Sequence, residues 1–195
     1  MIIAQVGCLH GELTKIYEEL VAWESVNKLK VDLVICAGDF QCLRDENDLA
    51  ALECPAKFRK LGCFADYYQK VKKAPILTVF IGGNHEASNY LRELYYGGFA
   101  AENIYFMGAS GVINVQKGTE TVRIAAISGI DKPYDFNLGY FESHPYVNEE
   151  MNLKSMYHFR EFEVAKLKQI HQPIDIFVSH EWPSVATSRL PKHDK

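Results

Sequence analysis

The chain has 195 residues, of which 48% are hydrophobic and 24% charged, and its formal net charge is −4. This length predicts one domain with a sizeable core, and the composition is typical of a globular protein. The acidic balance excludes a protein that holds a polyanion through its overall charge, so any contact with nucleic acid must be local or use a metal.

The first half of the chain alternates predicted strands and helices. Runs of apolar, mostly β-branched residues predict three strands, at 2–6, 32–36 and 76–81. Helical spacing of apolar residues predicts a helix after each strand, at 12–29, 65–72 and 87–96. The last of these is expected to close at Gly97-Gly98. This order predicts parallel strands joined by right-handed crossovers.

The pattern changes after Asn103. Short apolar runs separated by glycine-containing turns predict an antiparallel hairpin and a second sheet packed on the first, with runs at 104–106, 112–115 and 122–127. Residues 129–153 show no periodicity, and a loop of that length in a compact domain is usually functional or disordered. A helix over 158–170 and a strand over 174–178 complete the predicted elements.

Polar residues follow four of the predicted strands where each strand ends. These segments are Gly7-Cys8-Leu9-His10-Gly11, Gly38-Asp39, Gly83-Asn84-His85-Glu86 and Ser179-His180-Glu181. Open α/β proteins place their sites at the carboxyl ends of strands, so we expect the four segments to converge. Because His, Asp and Asn side chains together suit a divalent cation, the sequence predicts a metal-dependent hydrolase.

These segments contain candidate metal ligands and a candidate proton donor. Asp39 can bridge two cations, which in two-metal hydrolases lie about 3.5–4 Å apart. Asn84 offers a neutral carbonyl oxygen, and His10 and His180 offer imidazole nitrogens. The adjacent His85 is free to donate a proton to a leaving oxygen.

The motif series resembles the calcineurin-like metallophosphoesterase superfamily, whose first block usually has Asp where Cys8 stands. That departure resembles one branch, the RNA lariat debranching enzymes, and the likeness extends from Ile2 to Pro183. It is carried by the stretches 37–44, 80–89, 95–98, 103–108, 128–130, 157–160 and 173–183. The resemblance implies an α/β fold, an αββα sandwich with a parallel βαβαβ start and a second mixed sheet.

The resemblance also implies an activity, hydrolysis of the 2′–5′ phosphodiester bond at the branch point of excised intron lariat RNA. By position, His10, Asp39, Asn84 and His180 are then metal-site residues, and His85 is the acid for the leaving 2′ oxygen. One or two divalent ions are implied, and Fe, Zn and Mn stay open. Such ions activate water near neutral pH and offset charge on the phosphoryl oxygens.

Cys8 has two open roles at this site. As a thiolate ligand it would favour a softer metal such as Zn or Fe. As a neutral thiol it would remove one hard carboxylate and leave the site with fewer ligands, and we favour this second role.

The irregular stretch 129–153 corresponds in position to the lariat recognition loop of the debranching enzymes. Its aromatic residues are candidates for stacking on splayed RNA bases, namely Tyr134, Phe136, Tyr140 and Phe141. The alternative is an ordinary surface loop whose aromatic rings pack inward. His158, in a matched Tyr-His-x-Arg segment, has either a structural or a substrate role.

Five cysteines without a CxxC pair predict reduced thiols in the nucleus or cytosol. The lariat resemblance makes the nucleus the expected compartment, with the cytoplasm as the second. No signal-peptide pattern opens the chain, and no apolar run approaches the roughly 20 residues that span a bilayer, so no membrane partner is expected.

One block of the superfamily pattern, Gly-His-x-His, does not occur after His180. We therefore expect a C-terminally truncated catalytic domain over 1–183, an unmatched polar tail over 184–195, and weak or absent activity of the isolated chain. Two alternatives stay open. One is a metallophosphoesterase that acts on another phosphoester, and the other is a non-catalytic relative that binds RNA or protein.

Overall fold

Eight strands form two sheets in the computed structural model, which describes residues 1–143 and 152–184. They are β1 (Ile3–Val6), β2 (Leu33–Cys36), β3 (Leu77–Phe80), β4 (Gly98–Ala101), β5 (Ile104–Phe106), β6 (Ser110–Lys117), β7 (Glu120–Ile127) and β8 (Ile176–Ser179). The first sheet has the order β1-β2-β3-β5-β4 and is parallel except for β4. The second, β6-β7-β8, combines an antiparallel hairpin with a parallel strand.

Helices cover the outer faces of the two sheets. They are α1 (Leu13–Asn27), α2 (Glu46–Ala50), α3 (Phe64–Tyr68), α4 (Ser88–Glu93), α5 (Pro133–Phe136), α6 (Asn152–Met156) and α7 (Glu161–Lys168), with a 3-10 helix at Ala56–Phe58. Buried residues of α1, α3 and α4 pack against the first sheet, whereas α7 packs against β6 and β7. Among the described residues, no helix is both long and apolar enough to cross a membrane.

The alternation of side chains along β2 divides the core into two layers. All four of its residues are buried, and successive side chains of a strand point to opposite faces. Val34 and Cys36 therefore pack under the helices. Leu33 and Ile35 pack between the sheets, where Ile124 and Val178 from the second sheet complete the layer.

The predicted fold class is confirmed, with its parallel start, second mixed sheet and outer helices. The helix predicted over 12–29 forms as α1, but those predicted over 65–72, 87–96 and 158–170 are shorter. The sequence analysis missed β4, because Gly97-Gly98 were interpreted as a helix end, whereas Gly98 begins a strand that pairs with β5.

The predicted loop over 129–153 is partly helical. Pro133 begins α5, which is the position where the fixed φ of proline suits a helix, and Asn152 begins α6. Residues 144–151 of this loop, and 185–195 of the predicted tail, lie outside the described residues.

Candidate metal centre

The four predicted segments meet at one edge of the two sheets, where β1, β2, β3 and β8 end. Backbone hydrogen bonds join the first segment to the second: the amides of Leu9 and His10 both donate to the Asp39 carbonyl oxygen, at 3.1 and 2.7 Å. His10 and Asp39 adopt positive φ angles of 49° and 47°. Non-glycine residues are rarely held in this conformation, and such strain is concentrated at functional sites.

The buried carboxylate of Asp39 lies at the middle of the site. Its Oδ2 is 3.7 Å from Nε2 of His10, and its Oδ1 is 3.6 Å from Nε2 of His180. Oδ1 of Asn84 lies 3.2 Å from that same His180 nitrogen. One carboxylate between two imidazoles is the arrangement that lets a carboxylate bridge two cations.

The tautomer of His180 follows from its backbone partner. Its Nδ1 lies 2.8 Å from the carbonyl oxygen of Ala37, which can only accept, so Nδ1 carries the proton. Nε2 then presents a lone pair to Asp39 and Asn84, which also present oxygen acceptors. Facing acceptors repel one another unless a proton or a metal cation lies among them, and a carboxylate, an amide oxygen and an imidazole together form a donor set that fits a divalent metal.

Cys8 belongs to the same cluster. Its sulfur, a carboxylate oxygen of Asp39 and a ring nitrogen of His180 all lie within 4.8 Å of one another. Partial desolvation and the Asp39 carboxylate raise the pKa of Cys8, which favours the neutral thiol before a cation binds. Both predicted roles of Cys8, as a thiolate ligand and as a neutral neighbour, stay predictions.

His85 is held beside the cluster by two backbone contacts. Its amide donates to Oδ1 of Asp39 at 2.8 Å, and its Nδ1 lies 2.6 Å from the carbonyl oxygen of Glu53. That carbonyl fixes the proton on Nδ1 and leaves Nε2 as the nitrogen for proton exchange with a bound substrate. The His85 and His10 rings are 5.9 Å apart between centroids.

Glu86 holds two loops of the site together through backbone hydrogen bonds, a role that was not predicted from the sequence. Its buried carboxylate accepts the amides of Phe40, Gln41 and Gly83 at 2.7, 2.8 and 3.0 Å. Burial and the nearby Asp39 raise the pKa of Glu86 to about 8, against the effect of those amides. The only signal in the sequence was an acidic residue next to His85.

Two glycines let the loops approach this closely. A Cβ added at Gly83 would lie 2.2 Å from Oδ1 of Asp39, and one at Gly38 would lie 2.3 Å from Nδ1 of His180. Gly38 also has a φ of 107°, which disfavours any side chain. The Gly-Asp and Gly-Asn pairs therefore reflect packing as well as ligand spacing.

The four predicted substrate aromatics differ in exposure. Tyr134 and Phe141 are 70% and 52% exposed, whereas Phe136 and Tyr140 are half-buried. Phe136 packs edge-on against Phe159, with ring centroids 6.3 Å apart. Tyr140 packs under the Arg160 guanidinium, whose carbon lies 4.8 Å from the ring centroid. Their contact with RNA stays a prediction.

A buried hydrogen bond and a buried ion pair hold this segment to the start of α7. Nδ1 of His158 lies 2.6 Å from Oδ2 of Asp135, and Arg160 donates to Oε1 of Glu142 at 2.8 Å. Arg160 also donates to the His158 carbonyl oxygen at 3.0 Å. Burial lowers the pKa of His158, although its bond to Asp135 acts in the opposite direction. These contacts are those that the predicted structural role of His158 requires, and its alternative role in substrate binding stays a prediction.

An open groove of 1260 Å³ runs from the cluster along the end of the second sheet. Asn84 and His180 line one part of it, and Phe136, Phe177 and Trp182 line another. The groove is open to solvent and adjoins two of the candidate metal-site residues.

Known proteins resemble this chain in sequence. The calcineurin-like phosphoesterase family profile matches residues 1–192. Over 183 residues the chain is 54% identical to a lariat debranching enzyme of Danio rerio, 52% to one of Homo sapiens and 48% to one of Arabidopsis thaliana. The matches cover 94% of this chain but 31%, 32% and 42% of those proteins, so the chain spans less than half of each. Calcineurin-like phosphoesterases use divalent metals, and this chain belongs to that family.

Proposed function

We propose that this chain is a metal-dependent phosphodiesterase that hydrolyses the 2′–5′ bond at the branch point of lariat RNA. The observation that carries the proposal is the facing set of acceptors on Asp39, Asn84 and His180, which fits a divalent cation. The substrate is supported by the relatives named lariat debranching enzymes, at 48–54% identity.

The residues that would hold the metal are His10, Asp39, Asn84 and His180, with Cys8 as a neighbour or ligand. One or two ions of Fe, Zn or Mn suit imidazole and carboxylate donors. When bound, a divalent ion supplies an activated water and offsets charge on the phosphoryl oxygens.

His85 is the proposed general acid of the reaction. Water forms a new bond to phosphorus and loses a proton to solvent, the bond between phosphorus and the 2′ oxygen breaks, and the leaving oxygen takes up a proton. His85 supplies that proton from Nε2 when its ring is protonated on both nitrogens, and it then keeps the Nδ1 proton that faces the Glu53 carbonyl. The Asp39 carboxylate keeps the His85 backbone in place for that transfer.

Substrate contacts are proposed on the groove side of the site. Tyr134 and Phe141 are exposed for stacking on unpaired bases, and Phe136 lines the groove itself. Tyr140 would act through its packing with Arg160. We also propose a nuclear location, since lariats arise from excised introns, with the cytoplasm as the second compartment.

A substrate comparison tests this function. The chain with Mn²⁺ is incubated in excess over a 5′-labelled RNA with a 2′–5′ branch, a linear RNA of the same composition, and para-nitrophenyl phosphate. Excess protein makes even a slow single turnover visible. We expect metal-dependent release of the branch only. Faster turnover of para-nitrophenyl phosphate would indicate a different phosphoester, and RNA binding without cleavage would indicate a non-catalytic relative.

A further inference from the structure

A basic loop, defined as residues 54–62, lies between α2 and α3 at the rim of the site. It contains Lys57, Arg59 and Lys60 and no acidic residue, in a chain whose net charge is −4. Lys57 and Lys60 are exposed, and the ring of Phe58 is 59% exposed. Cations interleaved with an exposed aromatic are the features that bind single-stranded nucleic acid.

Both ends of this loop are held by the candidate metal centre. Before it, the Glu53 carbonyl oxygen contacts Nδ1 of His85 at 2.6 Å. After it, the amide of Cys63 donates to the carbonyl oxygen of Gly11 at 3.1 Å, next to His10. The segment therefore runs from the partly buried imidazole of His85 to the neighbourhood of the exposed His10.

The loop has a defined conformation between these two ends. Arg59 donates through Nη2 to the Cys54 carbonyl oxygen at 3.1 Å, and the amide of Phe58 donates to the Pro55 carbonyl oxygen at 2.8 Å. Nζ of Lys57 lies 4.7 Å from the Phe58 ring centroid. Arg59 thus shapes the loop, and Lys57, Phe58 and Lys60 form its outer surface.

The loop and the aromatic groove adjoin different residues of the site. The loop is held at Gly11, next to His10, and at the His85 ring, whereas Asn84 and His180 line the groove. A branched RNA with its branch point at Asp39 can therefore place one arm at the loop and another in the groove.

We propose that the basic loop binds one single-stranded arm of a branched RNA, with Lys57 and Lys60 on phosphates and Phe58 stacked on a base. The inference rests on the proposed function for the identity of the RNA. Charge complementarity carries it, because this local cluster supplies the positive charge that the acidic chain lacks overall.

Binding without cleavage tests the loop. Anisotropy of a fluorescein-labelled 2′–5′ branched RNA is measured in EDTA across a NaCl series, with the Lys57→Ala/Lys60→Ala variant. We expect affinity at least about tenfold lower at 50 mM salt, and a logarithmic salt slope smaller by about 1.4, for two lost phosphate contacts. Phe58→Leu is expected to weaken binding roughly tenfold with the slope unchanged.

The matched control removes the same charge elsewhere. Lys73 and Lys117 are exposed, pair with Glu102 and Asp32, and lie at the opposite end of the strands from the site, before β3 and at the end of β6. Lys73→Ala/Lys117→Ala changes the net charge by the same amount and is expected to bind as wild type. The proposal is wrong if the two double variants weaken RNA binding equally or if the loop variants bind RNA as the wild type does. It is also wrong if the wild type does not bind the RNA. Polyglutamate of equal charge is added as a competitor. If it displaces the RNA, and if Phe58→Leu does not change this displacement, the loop binds acidic proteins instead.

The two proposals fail separately. If the loop variants bind RNA normally while the wild type still cleaves the branch with Mn²⁺, only the loop assignment is wrong. If the loop variants lose RNA affinity while the wild type shows no metal-dependent cleavage, the loop is an RNA-binding surface and the proposed hydrolysis is wrong.

Discussion

Nδ1 of His180 lies 2.8 Å from the carbonyl oxygen of Ala37, which joins the end of the second sheet to the first. This bond fixes the ring with Nε2 toward Asp39 and Asn84, and the acceptors of three segments then face one another. Contacts of this kind, between segments far apart in the chain, hold the whole site together.

Removing the imidazole of His85 should slow cleavage without loss of metal. General acids contribute about 10²- to 10⁴-fold to the rate, so His85→Ala should lower the single-turnover rate on branched RNA by that factor. The Asp39 contact uses the His85 backbone, which the substitution keeps. His171→Ala, at an exposed position, is the control. A rate unchanged by His85→Ala would remove the residue from the mechanism.

Adding a methyl group at Gly83 should damage the site. The new Cβ would lie 2.2 Å from Oδ1 of Asp39, and relieving such overpacking costs about 1–3 kcal/mol. Gly83→Ala is therefore expected to lower both the unfolding free energy and Mn²⁺ affinity. At Gly139 a Cβ meets nothing within 4 Å, so Gly139→Ala should change neither. Equal behaviour of the two variants in calorimetry would contradict the packing argument.

Replacing the carboxylate of Glu86 should weaken the fold. Both oxygens accept backbone amides, and a Gln side chain would turn an N–H donor toward at least one of them. Leaving such a buried group unpaired costs about 1–3 kcal/mol, measurable by urea denaturation of Glu86→Gln above the Glu86 pKa of about 8, where both carboxylate oxygens are acceptors. Glu18→Gln, on the exposed surface of α1, serves as the control. Wild-type stability in Glu86→Gln would refute this function for Glu86.

These contacts show what the sequence could predict. The ends of the strands and the types of ligand could be predicted from the sequence, because apolar runs and the glycines that follow them are local signals. The role of Glu86 was not, because its partners Phe40 and Gln41 lie more than forty residues earlier and offer only backbone amides. The support of His85 by Glu53 is hidden for the same reason. Likewise, β4 depends on pairing with β5, which helix and turn propensities do not reveal.

Acid should destabilise the fold through His158. Burial lowers the pKa of its folded state below the ordinary value of 6.5, with Asp135, Arg160 and Lys132 as its charged neighbours. The unfolded chain therefore takes up the proton first, so the penalty is absent above pH 6.5 and grows as the pH falls below it. Between about pH 6.5 and 5, wild-type unfolding free energy should fall more steeply than that of His158→Gln. Parallel curves in urea denaturation would show that His158 does not contribute.

The most direct test of the candidate metal centre is calorimetric titration of Mn²⁺ into the chain and into Asp39→Asn. The variant keeps an oxygen for the His85 amide but loses the charge between His10 and His180. Asp66→Asn, on α3, is the matched control. The wild type and the control should bind one or two ions, and Asp39→Asn should bind at least about tenfold more weakly. Equal affinity of all three proteins, or no binding by the wild type, would contradict a metal site at Asp39.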